Sequence, residues 1–131
     1  MGIALPPMLS GLRVLDLTRN LPGPFATRLL ADLGASIVKV EPPEGDPSRP
    51  LAALFEALNH GKESRRIDFR DASDLDQLRT WVAESDVMLD SFRPGVLQGM
   101  GLDAAALHAL HPRLVMVSIT SKLPALVIWY C

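Results

Sequence analysis

Between Ser10 and Pro43 the chain reads SGLRVLDLTRNLPGPFATRLLADLGASIVKVEPP, and this stretch restricts the fold more than any other. Arg13 to Thr18 is apolar enough for a strand covered on both faces, the habit of parallel strands flanked by helices. Pro24 follows Gly23, where the first turn of a helix tolerates a residue without an amide hydrogen. Leu29, Leu30 and Leu33 then recur at helical spacing, and Gly34 suits the left-handed residue that closes a helix. Ser36 to Glu41 reads as a second buried strand. Strand, helix and strand make a βαβ unit, so the loop from Thr18 to Pro24 is expected at the carboxyl end of a parallel strand, where open α/β sheets bind ligands.

The alternation continues. PPEGDPSRP, from Pro42 to Pro50, is a proline-rich charged loop, and LAALFEALNHG after it predicts a short amphipathic helix stopped by Asn59 and Gly61. Arg66 to Phe69 reads as a weak strand. Asp71 to Ala83 predicts a helix with Asp71, Ser73 and Asp74 suited to its start and Leu75, Leu78 and Val82 on its buried face. Ser85 to Ser91 predicts a further buried strand ending in FRPG, Leu102 to Leu110 a short helix, and Arg113 to Thr120 a last strand before a turn at Pro124. The pattern predicts an α/β fold, a Rossmann-like, doubly wound, mostly parallel sheet with right-handed crossovers.

Composition removes several functions. With 13 basic and 15 acidic residues and a net charge of −2, there is no electrostatic case for nucleic-acid binding. Cys131 is the single cysteine, so no intrachain disulfide or cysteine metal cluster forms, which fits a reducing compartment. The first residues lack the basic and apolar regions of a signal peptide, and the longest apolar run, Leu123 to Cys131, is too short to span a bilayer. A soluble, cytoplasmic protein with no nucleic-acid or membrane partner is expected.

The ordinary dinucleotide and P-loop fingerprints are absent. What remains is a helix start whose amides at Phe25, Ala26 and Thr27, with Arg19 just before, form a candidate anion site, or else a glycine turn that only shapes the chain. Lys62, Arg65, Arg66 and Arg93 either reach the same carboxyl edge as Arg19 or form a solvated face. Phe92 and Pro94 beside Arg93 offer a flat apolar surface to a ring and a guanidinium to a phosphate; alternatively they pack a turn. His60, His108 and His111 have no metal-ligand pattern, so no metal is expected. Asp16 and Asp90 are strand carboxylates that either do acid-base work or cap local amides, and no acid-base partner is visible. No G-x-S-x-G elbow supports a serine hydrolase.

Taken in order, LSGLRVLDLTRNLPGPFATRLLADLGASIVKVEPPEGDPSR, LNHGKES, IDF, SDVMLDSFRPGVLQGMGLD and HPRLVMVSIT resemble the N-terminal part of the family III CoA-transferases, which include alpha-methylacyl-CoA racemases and carnitine and formyl-CoA transferases. The resemblance implies a CoA-binding Rossmann-like domain over residues 9–120, followed by a non-family apolar tail, 121–131. It implies coenzyme A or acyl-CoA as the bound substrate, with adenosine and phosphate contacts from Arg19, Asn20, Leu21 and Pro22, from Lys62, and from Ser91, Phe92 and Arg93. Two departures stand out: Glu63 where the family commonly has a basic residue, and Pro42 where one often follows the second strand.

By the same resemblance, the nucleophilic aspartate of the transferases, or the His and Asp pair of the racemases, belongs some tens of residues beyond Thr120, as does the second domain of the family's interlocked homodimer. The reaction implied is CoA transfer between carboxylic acids or alpha-epimerisation of an acyl-CoA, with no catalytic residue assigned here and no turnover expected from this chain alone. The non-enzymatic alternative is a CoA-binding or association domain that self-associates through its tail, so that deleting the tail lessens association. A generic nucleotide-binding regulatory domain would explain the α/β pattern but none of the specific segments.

Overall fold

Apolar strands alternating with helices close into one sheet in the computed structural model, which describes residues 7–120 and the strand Leu126–Trp129. The strands are β1 (Arg13–Leu17), β2 (Ser36–Glu41), β3 (Glu63–Arg66), β4 (Val87–Asp90), β5 (Val115–Ile119) and β6 (Leu126–Trp129). Between them run helices α1 (Pro22–Asp32), α2 (Ala52–Asn59), α3 (Ala72–Ala83), α4 (Val96–Gly99) and α5 (Ala104–Leu110). The sheet order is β3-β2-β1-β4-β5-β6. β1 to β5 are parallel and β6 lies antiparallel on β5. The order reverses at β1, whose neighbours are β2 and β4, so its carboxyl end is the crevice expected of a doubly wound sheet.

Side chains alternate across the strands, so each strand feeds both layers. Leu15, Leu17, Val40, Met88 and Met116 point into a core completed by Leu78 and Val82 of α3, Leu107 of α5, and Leu102. Val14, Ile37 and Leu89 point the other way, toward Leu30 and Ala31 of α1. That second face carries charge as well: Asp16, Lys39 and Glu41 are all buried in it. Leu29 and Leu33, spaced with Leu30, are turned outward by the helix.

Three expectations shift. The third strand is Glu63–Arg66, upstream of the Arg66 to Phe69 expected; its polar ESRR is held by the ladder to β2 rather than by apolar burial, so no periodicity announces it. α1 begins at Pro22, two residues earlier than its glycine-proline turn suggests, and the Phe25 amide donates to the Leu21 carbonyl at 2.9 Å. That amide is therefore not free for an anion. The short helix α4 is new, entered through Gly95 in the left-handed conformation, φ 88°. The turn expected at Pro124 lies outside the described residues.

Candidate functional site at the carboxyl edge of the sheet

The loop after β1 is pinned at both ends. Asp16 accepts hydrogen bonds from the backbone amide and hydroxyl of Thr18, and Lys39 Nζ donates to the Thr18 carbonyl at 3.0 Å. Gly23 presses against the same threonine: a Cβ at position 23 would lie 2.2 Å from Thr18 Cβ, so glycine is required by close approach. Between these pins Asn20 takes the left-handed conformation, φ 66°, which asparagine tolerates better than most residues.

Beside this loop stands the end of β4. Ser91 Oγ accepts the Arg19 amide at 3.0 Å, joining the two segments across 72 residues of sequence. Asp90 accepts from the Phe92 amide at 3.1 Å and from Ser118 Oγ on β5 at 2.5 Å. Burial pushes the Asp90 carboxyl above its usual range, against the lowering effect of those two bonds. Two cavities open here, one of about 310 Å³ lined by Arg19, Asn20, Pro22, Ser91, Ile119 and Thr120. The other, of about 330 Å³, is lined by residues that include Asp90, Phe92, Arg93 and Thr120. The Phe69 and Phe92 rings meet edge to face, centroids 5.5 Å apart, and the Arg19 guanidinium carbon lies 5.9 Å and 5.5 Å from their centres.

Of the residues singled out in the sequence, Arg19, Asn20, Pro22, Ser91, Phe92 and Arg93 converge on this edge. Leu21 is exposed beside them as the residue preceding α1. Lys62 faces inward instead. Its side chain is 1% exposed, and its ammonium lies within 3.2 Å of Asp16 Oδ2, the Pro24 carbonyl, Thr27 Oγ1 and Asn59 Oδ1. Burial lowers the Lys62 pKa, while the adjacent Asp16 opposes the shift. It braces α1 against β1 from beneath the loop.

Arg65 and Arg66 do not join Arg19. Arg65 pairs with Glu63 and stacks on Trp81, and Arg66 donates to the Pro43 carbonyl, both on β3 at the far side of the sheet. Glu63 belongs to that same edge strand. Phe69 and Thr120 are the residues that sequence reading passes over. Phe69 lies past the end of β3, and only the fold brings it to Phe92.

A model of CoA-transferase family III matches residues 9–121. The chain belongs to CoA-transferase family III. Within this family it is 37% identical over 123 residues to a probable fatty acyl-CoA transferase of Mycobacterium tuberculosis, a match covering 86% of this chain and 31% of that protein. It is 39% identical over 116 residues to an acetyl-CoA:oxalate CoA-transferase of Acetobacter aceti, over 82% of this chain and 30% of the relative. The crystal structure of a CAIB/BAIF family protein from Brucella suis superposes with a TM-score of 0.83 at 42% identity, covering 86% of this chain and 33% of that one. The chain thus spans about a third of the length of the family relatives it matches. Among the described residues no helix is long and apolar enough to cross a membrane.

Proposed function

We propose that these residues form the coenzyme A-binding part of a CoA-transferase, with acyl-CoA as the ligand. The observation that carries this reading is the meeting of the β1 loop and the β4 end at the reversal point of the sheet, which gathers Arg19, Asn20, Pro22, Ser91, Phe92 and Arg93 around two adjoining cavities. Phe92 gives a base a flat apolar surface. Arg19 and Arg93 supply guanidinium groups that suit phosphate oxygens, and Ser91 and Asn20 add polar contacts. Leu21 borders the entrance, and Lys62 acts from below by holding the loop.

The chemistry proposed for a polypeptide with the family's full length is CoA transfer between carboxylic acids. There a carboxylate attacks the thioester carbonyl, the C–S bond breaks, CoA leaves as its thiolate and an acyl anhydride forms. The transferase names of the relatives favour this over alpha-epimerisation. Asp16 and Asp90 are both engaged as caps at this edge, and neither is assigned as that nucleophile. A cytoplasmic location and the absence of metal from the reaction belong to the same proposal.

Calorimetric titration with CoA tests the binding. Saturable binding is expected, weakened about tenfold by Arg93→Ala through loss of a charge-assisted phosphate contact. A flat titration of the wild-type chain would overturn the reading.

Association through an apolar surface is supported by a separate observation. Phe25 and Leu29 of α1 and its flanking residues Leu21 and Leu33 are each exposed, at four-residue steps. Phe25→Asp is expected to shift sedimentation toward the monomer, and an unchanged profile would count against this surface.

A further inference from the structure

The apolar surface proposed for the ligand's base is already covered. Arg19 lies over Phe92 and Phe69 at 5.5 Å and 5.9 Å, inside the range in which a guanidinium is held by aromatic faces. The two rings touch each other edge to face, so there is no slot between them for a second planar group. A base that stacks on these faces meets the guanidinium first.

The backbone of Arg19 is anchored independently of its side chain, because its amide donates to Ser91 Oγ. Side-chain rotation alone can therefore uncover the rings. The residue also lines the adjoining cavity of about 310 Å³, beside Asn20 and Ser91. This is the side on which a phosphate-bearing ligand would find the released cation.

We propose that Arg19 is a built-in occupant of the Phe69–Phe92 surface, displaced by the purine of an incoming ligand and then free to pair with that ligand's phosphates. The inference rests on the CoA-binding reading. It adds a selectivity rule: a purine without phosphates loses the competition with Arg19, whereas one with phosphates is compensated for the displacement. Arg19 thus penalises adenosine and rewards CoA.

The test is calorimetric titration of wild type, Arg19→Ala and Arg19→Ala/Phe92→Leu with adenosine and, separately, with CoA. Arg19→Ala is expected to bind adenosine about three- to tenfold more tightly than wild type. The same variant should bind CoA more weakly, and the added Phe92→Leu should abolish the gain for adenosine. Arg19→Gln keeps length without charge and should show a smaller gain, which preserves the test if the alanine variant fails to fold. Loss of affinity for both ligands by one common factor, or unchanged adenosine binding, would overturn the proposal by making Arg19 an ordinary contact or a bystander. A wild-type chain that ignores CoA refutes the CoA reading alone. The adenosine comparison between wild type and variants then still decides whether Arg19 competes for the rings.

Discussion

Asp90, a strand-end carboxylate that the sequence leaves open to acid-base work or to capping, caps a local amide. It is buried, accepts the Phe92 amide and holds Ser118, and so fixes the strand end from which Phe92 and Arg93 project. A carboxyl whose pKa is raised on folding favours the native state below its ordinary range, and that advantage is lost as pH rises through the raised value. Asp90→Asn keeps an acceptor for the Phe92 amide and removes the buried charge. Stability at pH 7 is expected to stay level or rise by up to about 1 kcal/mol, with a flatter pH profile above the ordinary carboxylate range in denaturant titrations. Gly23 makes the opposite point, since nothing at that position titrates and only space matters. Gly23→Ala places a methyl 2.2 Å from Thr18 Cβ, and a loss of about 3 kcal/mol is expected in the same titrations.

At the scale of elements, the α1 face of the sheet is braced by buried ion pairs. Lys62 meets Asp16, Lys39 meets Asp46 at 2.8 Å, and Arg49 meets Glu41 at 2.6 Å, so β1, β2, the proline-rich loop and the start of β3 are tied across one layer. Removing one partner of a buried pair strands the other charge. Lys62→Met is expected to cost about 3–5 kcal/mol, and adding Asp16→Asn should recover part of it, a coupling that a double-mutant cycle measures directly. Glu41 responds to pH. Burial by itself would raise its carboxyl, but the Arg49 and Ser64 bonds and the Asp46 amide bring it from 4.5 down to about 2. A depressed carboxyl stabilises the fold above its unfolded value and loses that contribution as pH falls from 4.5 through about 2. Glu41→Gln should therefore flatten the acid limb of the stability profile in that interval. The helix start of α3 is legible because Asp71 caps amides two and three residues ahead, whereas α5 starts at Ala104 on the Asp103 cap, two residues after the Leu102 that apolar spacing suggests. β3 was misplaced because its residues are chosen by pairing with β2, and pairing leaves no apolar period in ESRR.

For the whole molecule, the sheet order sets which edges are open. β3 and β6 are the outer strands, and β6 covers the apolar β5 through an antiparallel register from Met116–Trp129 to Ile119–Leu126. Deleting residues 123–131 would hand the open edge to Val115–Ile119. Sedimentation is expected to show more self-association after that deletion, the reverse of what the apolar tail suggests when read as a sequence; less association would point back to the tail itself. The exposed line along α1 is the association surface proposed above, and it lies apart from both sheet edges.

What the amino-acid sequence determined by itself was the succession of strands and helices and the two segments, TRNLP and SFRPG, that end up at the carboxyl edge. Those follow from local rules: alternation, helical spacing, proline at a helix start, glycine at its end. Tertiary structure alone decided which polar groups meet. Lys62 lies 46 residues from Asp16 and meets it inside the fold, and Arg19 came to rest on Phe69 and Phe92. Parallel crossovers carry each segment past its sequence neighbours to an edge shared with distant ones, and burial then decides, cation by cation, which charges must find a partner inside.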